Sequence, residues 1–162
     1  MRIAIFTEGT ILMPGDAAGR ARDEIVRQVR SKEPSVRDYA SYVPVEDAPA
    51  KIRKWARQGA EMIYMTSRRE MKEVDEIQNV LDRNGFPSGA LEHRKGNEEY
   101  KDVAERIMPD VLIEDDCESI GGEREMTYPH LSQGSKERIK SIIVKEFSGI
   151  GRLPDDSNAL AA

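Results

Sequence analysis

Short apolar runs alternate along the chain with segments whose apolar residues recur at helical spacing. Unbroken aliphatic runs are typical of strands buried on both faces, as in parallel sheets. Five such strands are predicted, over residues 2–7, 62–65, 90–92, 111–113 and 142–147. Amphipathic helices are predicted over residues 23–30, 44–59, 70–84, 97–108 and 135–140. This alternation predicts an α/β, three-layer Rossmann-like fold with a mainly parallel five-stranded sheet and right-handed crossovers.

The length of 162 residues fits a single domain with a substantial core. We expect this domain to cover residues 1–150. Residues 13–43, here called the lid segment, lie between two predicted core elements and form either a small lid over a pocket or a spacer. Residues 151–162 are predicted to be a flexible tail because they follow the last apolar run and end in an alanine-rich sequence.

Polar side chains directly follow three of the predicted strands. Glu8 follows the first strand, Thr66 and Ser67 follow the second, and the acids at 114–116 follow the fourth. Ligands of open α/β sheets bind at the carboxyl ends of the strands, so we expect these groups to converge. Crowded carboxylates repel one another, which a divalent cation or a cationic side chain would relieve. Hydroxyls at a helix start form either an anion site or a plain N-cap, and the acids could equally form a solvated loop.

Composition narrows the classes of partner. A net charge of −5 argues against nucleic acid or an acidic membrane as the main partner. Arginines 20, 22, 27 and 30 form either a local basic rim or a solvated helix face. The single cysteine, Cys117, allows no internal disulfide, which is compatible with a cytoplasmic location. No apolar run is long enough to span a bilayer, and the pattern does not indicate an oligomeric state.

Four spaced segments resemble the motifs of the haloacid dehalogenase-like (HAD) superfamily. Residues 3–12 resemble the first motif, and 63–68 resemble the second, a strand that ends in Thr or Ser. Lys101 stands where compact members carry the third-motif lysine, with Lys95 as the second choice. Residues 111–122 resemble the fourth motif, a strand followed by paired acids. Order and spacing agree over residues 1–150, and the short lid segment is similar to cap-less or minimally capped members.

The resemblance implies a magnesium-dependent protein of the phosphohydrolase type with a small phosphorylated ligand. It implies phosphate binding by Thr66, Ser67 and Lys101. It also implies Mg²⁺ ligation by Asp115, Asp116 and Glu8, with Glu8 as an acid or base.

The first motif departs from the family pattern at its most important position. Alignment of Gly9 and Thr10 with the family's Gly-Thr places Phe6 where the family has its nucleophilic aspartate, and phenylalanine can neither attack phosphorus nor bind a metal. Three hypotheses follow. The protein binds a phosphate-bearing ligand without hydrolysing it; or it hydrolyses phosphate esters through metal-activated water with Glu8 as base; or it is a HAD-shaped interaction protein with a vestigial pocket.

Overall fold

The computed structural model describes residues 1–162. The strands are β1 (Arg2–Phe6), β2 (Leu12–Met13), β3 (Val43–Pro44), β4 (Glu61–Met65), β5 (Ala90–Glu92), β6 (Val111–Asp115) and β7 (Lys140–Val144). The helices are α1 (Arg22–Arg30), α2 (Ala48–Arg57), α3 (Met71–Arg83), α4 (Tyr100–Ile107) and α5 (Gln133–Lys136), joined by short 3-10 turns. None of the helices combines the length and the apolar character that a bilayer span would require.

Five strands form one sheet in the order β5-β4-β1-β6-β7, and all four pairings are parallel. The predicted α/β fold with a five-stranded parallel sheet is therefore confirmed. The central strands are buried on both faces: Ile3, Ala4 and Ile5 of β1 have no exposed surface, nor do Leu112 and Ile113 of β6. Burial on both faces explains why these strands appear in the sequence as continuous apolar runs.

Helices cover both faces of the sheet and complete a three-layer structure. On one face, α2 and α3 pack through residues such as Trp55 and Ile77 against Ile3 and Ile5. On the other face, α4 packs through Val103, Ala104 and Ile107. Side chains of β1 alternate between these layers because neighbouring strand residues point to opposite faces. Phe6 consequently belongs to the α4 layer.

The lid segment is closed at its base by a small ribbon that the sequence pattern does not predict. Leu12 pairs with Pro44 and Met13 pairs with Val43 in the antiparallel β2–β3 ribbon. Its helix α1 occupies 22–30, close to the predicted 23–30, and buries Ile25 and Val26 in a cluster that includes Val45 and Phe147. The lid segment thus packs through a small apolar cluster, separate from the two main ones, that it shares with residues following β3 and β7.

Residues 151–162 lie against α2. The indole Nε1 of Trp55 donates to the Pro154 carbonyl at 2.9 Å, and Lys51 Nζ donates to the Leu153 carbonyl at 2.7 Å. Leu160 is only 2% exposed and belongs to the larger core cluster. These contacts are with residues distant in sequence, so the local composition on which the expected tail rested could not reveal them.

Candidate functional site

A cavity of about 490 Å³ lies between the carboxyl ends of the central strands and the lid segment. The strand ends supply Phe6, Glu8, Ser67 and Asp115 to its wall. The lid segment supplies basic and aromatic groups, namely Arg30, Lys32, Arg37, Tyr39 and Tyr42. The position of the cavity agrees with the general location of ligand sites in open α/β sheets.

Phe6 stands at the end of β1 and forms an apolar part of the cavity wall. Its side chain is 9% exposed, and its ring meets Tyr100 edge to face with centroids 5.3 Å apart. Edge-to-face pairs of this kind favour a fixed ring position. The position that resembles the family's nucleophilic aspartate therefore carries a ring held in place by α4.

Glu8 lies inside a dense set of donors. Its Oε1 accepts the Thr66 hydroxyl at 2.7 Å, and its Oε2 accepts the Thr7 hydroxyl. Arg68 Nε lies 3.3 Å from Oε1, and the Glu8 side chain is 13% exposed. The structure thus brings Glu8 and Thr66 together, as neighbouring parallel strands predict. Because both oxygens accept from hydroxyls and one faces a guanidinium, the Glu8 side chain is held in a fixed position.

Arg68 contributes the cationic group at the end of β4. Its guanidinium stacks over the Tyr39 ring at 4.4 Å from the centroid, and Nη2 donates to Ser67 Oγ at 2.9 Å. Both Ser67 and Arg68 line the cavity, whereas Thr66 is 1% exposed and lies behind them with its hydroxyl on Glu8. Of the two predicted hydroxyls, the one at Ser67 faces the cavity.

The two candidate lysines lie outside the cavity wall. Lys101 Nζ is 3.2 Å from the Glu99 carboxylate, and its side chain is 40% exposed. Lys95 is exposed in the loop before α4. Lys101 directly follows Tyr100 in α4, and successive helical residues point in different directions around the helix axis. Tyr100 therefore faces the cavity, whereas Lys101 faces outward. The predicted meeting of Lys101 with Thr66 and Ser67 does not occur in this structure, and the cations of the cavity wall are Arg68, Arg30, Lys32 and Arg37.

Three carboxylates meet beside the cavity, and two of them, Asp115 and Glu146, line its wall. Ligand oxygens of Asp115, Asp116 and Glu146 all lie within 4.8 Å of one another. Glu146 comes from the loop after β7, and none of the sequence motifs includes it. Glu8, the third metal ligand that the resemblance implies, is not a member of this group.

Hydrogen bonds fix these carboxylates in place. Asp115 accepts the Thr10 hydroxyl at 2.8 Å and the Cys117 N–H at 2.9 Å. Glu146 accepts both the N–H and the hydroxyl of Ser119 at 2.7 Å. Burial raises the pKa of Asp115 from 3.8 to about 6 and the pKa of Glu146 from 4.5 to about 7.

Gly9 allows the first loop to pass close to this acidic group. Its φ is +87°, and a Cβ there would lie 2.7 Å from Asp115 Oδ2. Any side chain would be strained and would collide with the carboxylate, so the approach requires glycine. Hard oxygen ligands with neighbouring negative charges suit Mg²⁺ or Ca²⁺. The donor set therefore fits a divalent cation that Asp115, Asp116 and Glu146 would hold.

Comparisons with known proteins bear on the fold. No protein-family model and no curated protein matches the sequence. Among solved structures, the chain is similar to a class C acid phosphatase from Bacillus anthracis with tungstate bound, at TM-score 0.55 and 12% identity over 91% of this chain and 68% of that one. D,D-heptose 1,7-bisphosphate phosphatases align with TM-scores of 0.45 (Burkholderia thailandensis; 12% identity, 90% and 92% coverage) and 0.47 (B. bronchiseptica; 12% identity, 91% and 94% coverage).

The likeness to the acid phosphatase shows the fold alone, because the identity is low. The protein is an α/β protein with a HAD-like fold, which confirms the fold that the resemblance implied. The phenylalanine in its first motif sets it apart from the pattern of that family.

Proposed function

We propose that this protein binds a phosphate-bearing small molecule in the cavity, together with a divalent cation, and does not hydrolyse it. The observation that supports the proposal is the ring of Phe6, which packs on Tyr100 and lines the cavity at the position that the motif resemblance aligns with the family's attacking aspartate. Phosphoryl transfer to the protein requires a nucleophilic oxygen in line with phosphorus, and a phenyl ring has none.

Arg68 and Ser67 are the groups that best suit a phosphate. A guanidinium offers several donors in a fixed plane and binds phosphate oxygens in pairs. Arg68 already holds its plane against Tyr39 and Ser67, so little side-chain freedom is lost on binding. Arg30, Lys32 and Arg37 add positive charge on the lid side of the same cavity. Thr66 acts behind this pair by orienting Glu8, and Lys101 would contribute only after leaving Glu99.

Asp115, Asp116 and Glu146 would hold Mg²⁺ or a similar cation. Such a cation supplies positive charge that attracts phosphate oxygens and offsets the repulsion among the three carboxylates. Without it, burial of Asp115 and Glu146 favours their protonated forms. Cation and proton therefore compete for the same oxygens, and we expect tighter cation binding at higher pH.

The geometry of Glu8 argues against the alternative of hydrolysis with Glu8 as base. A general base needs an oxygen free to take a proton from water. Oε1 of Glu8 accepts the Thr66 hydroxyl and faces Arg68. Oε2 accepts the Thr7 hydroxyl and, at 3.4 Å, the Ser67 N–H, so each oxygen already has two donors. Proton transfer to Glu8 would have to displace one of these donors. The remaining alternative, an interaction protein without a ligand, predicts no binding of phosphate esters at all.

Isothermal titration with a panel of phosphate monoesters in MgCl₂ tests the proposal, with R68Q and R69Q as matched variants. Arg69 is the neighbouring arginine, but it bonds the Gly96 and Glu98 carbonyls outside the cavity. Loss of a charged hydrogen bond at Arg68 should weaken binding by about 10- to 100-fold, whereas R69Q should bind as the wild type does. No inorganic phosphate should appear. Equal affinities for R68Q and wild type, or turnover by the wild type, would contradict the proposal.

A further inference from the structure

Glu114 lies beside Phe6 and has no part in the site described so far. Ile5 of β1 pairs with Ile113 of β6, so Phe6 and Glu114 are the next positions along two adjacent strands. Both residues line the cavity. An acid is thus present next to the position from which the nucleophilic carboxylate is missing, but on the neighbouring strand.

The Glu114 carboxylate is fixed and only partly used. It is 2% exposed, and it accepts the Thr127 N–H at 2.7 Å and the Tyr128 N–H at 2.9 Å, one on each oxygen. These two bonds explain how Glu114 anchors the turn that begins at Thr127. Each carboxylate oxygen has a second acceptor position, so the anchoring role leaves capacity for a further donor.

Besides the Glu114 carboxylate, the Thr127 hydroxyl also points to a ligand in this part of the cavity. Thr127 is 1% exposed and lines the cavity. Its Oγ1 makes no hydrogen bond of good geometry, although it lies near enough to the Glu114 carboxylate to act toward lowering the pKa of that group. A buried hydroxyl without a partner is costly and uncommon in folded proteins. A ligand group in the cavity would satisfy it, because a hydroxyl can both donate and accept.

We propose that Glu114 and Thr127 form a subsite that binds a hydrogen-bond donor of the ligand, a hydroxyl or an ammonium group, beside the ring of Phe6. The ligand group donates one hydrogen to Glu114. Thr127 then either donates to the oxygen of a ligand hydroxyl or accepts a second hydrogen from a ligand ammonium group. Phe6 contacts the carbon skeleton next to the donor. This inference rests on the proposed function, since it concerns the same cavity, and it identifies the ligand class as phosphate esters that carry such a donor.

Matched alkyl phosphates test the subsite. The probes are phosphate monoesters with chains of two to five carbons that end in a methyl, a hydroxyl or an ammonium group, titrated calorimetrically in MgCl₂. At the chain length that reaches the subsite, a hydroxyl or ammonium end should bind about tenfold more tightly than the methyl end. Comparison of the hydroxyl and ammonium series identifies which donor the subsite prefers.

The T127V variant removes the unpaired hydroxyl and retains the N–H that Glu114 accepts. It should abolish the tenfold preference, and T127S should restore it. S141A is the matched control, because the Ser141 hydroxyl also lacks a partner but belongs to β7 and to a separate surface depression. Both T127V and S141A should unfold at or above the wild-type temperature, since each loses only an unsatisfied group.

The outcomes separate the two proposals. If no phosphate ester binds, the proposed function fails and the subsite fails with it. If methyl, hydroxyl and ammonium probes bind equally at every chain length, the cavity binds phosphate but the subsite is refuted. A preference for the donor that T127V leaves unchanged also refutes the subsite, whereas loss in T127V with recovery in T127S and no change in S141A supports it.

Discussion

Replacement of the ionisable group at Glu146 should stabilise the cation-free protein above neutral pH. Glu146 is 5% exposed and lies beside Asp115 and Asp116, and burial raises its pKa from 4.5 to about 7. The variant E146Q keeps the shape of the side chain. Its amide can accept the Ser119 N–H and donate to the Ser119 hydroxyl, which can serve as an acceptor, so both hydrogen bonds survive.

The sign of the effect follows from proton linkage. The folded protein holds the Glu146 proton more tightly than the unfolded chain does, so this group favours folding below pH 4.5. That contribution is lost as the pH rises through about 7. The difference between the folded pKa of about 7 and the ordinary value of 4.5 corresponds to about 3 kcal/mol of unfolding free energy. E146Q cannot ionise and should retain this amount at pH 8, which corresponds to a melting temperature up to about 10 °C higher.

Thermal unfolding in EDTA between pH 4 and pH 8 measures the effect. Wild type and E146Q should melt together near pH 4 and diverge as the pH rises. Addition of MgCl₂ at pH 8 should raise the melting temperature of the wild type and leave E146Q nearly unchanged.

The control variant is D155N, for which the change in melting temperature should have the opposite sign. Asp155 is exposed and bonds Lys51 and Lys54, which hold its pKa at about 2, so its contribution is present above the usual pKa of an aspartate and is lost as the pH falls. D155N should therefore melt slightly below the wild type at neutral pH. Parallel melting curves for wild type and E146Q across the whole pH range would refute the reasoning about the acidic group.

Three further predictions concern the cavity wall, the tail and the lid segment. F6D, but not F6N, should release phosphate from esters in MgCl₂, and both should be destabilised by about 3–5 kcal/mol in denaturant unfolding because the ring packed on Tyr100 is lost. L160A should lose about 2–5 kcal/mol of stability, whereas removal of the two exposed residues after it should cost little. E118Q removes the ion pair with Arg22 of α1 and should speed tryptic cleavage within the lid segment by at most about fivefold, since solvent-exposed ion pairs contribute little to stability.

The strands were predictable because their signal is local. Each central strand is buried on both faces, and such burial leaves a continuous apolar run that needs no knowledge of its partners. The meeting of Glu8 with Thr66 was predictable for a related reason, since parallel strands place their carboxyl ends at one edge. The β2–β3 ribbon gave no such signal, because two residue pairs are too short to show alternation.

Lys101 and Glu146 show where sequence reasoning failed to place a side chain. Lys101 was selected by resemblance although it lies off the apolar stripe of its helix, and the rotation of that helix turns it outward to Glu99. Glu146 was hidden because the last strand was predicted to continue to residue 147. The strand ends at Val144, so Glu146 follows it as Asp116 follows β6. A strict search for acids just after apolar runs would have found it.

The sequence could not predict which residues the long side chains would contact. Arg68 forms an ion pair with Glu8 and hydrogen bonds with Tyr39 and Ser67, and Tyr39 comes from the lid segment. Nothing in the local pattern distinguishes Arg68 from Arg69, since both follow the same strand. The difference arises only when the lid segment packs over the end of β4.

Phosphorus NMR of each ester mixed with the protein in MgCl₂ tests the central claim most directly, because one spectrum reports both binding and hydrolysis. The account predicts that the ester resonance of a ligand shifts or broadens with a saturable dependence on protein concentration, while no inorganic phosphate resonance grows over a day. Growth of inorganic phosphate beyond the molar amount of protein, or an ester spectrum unchanged by the protein for every compound, would contradict it.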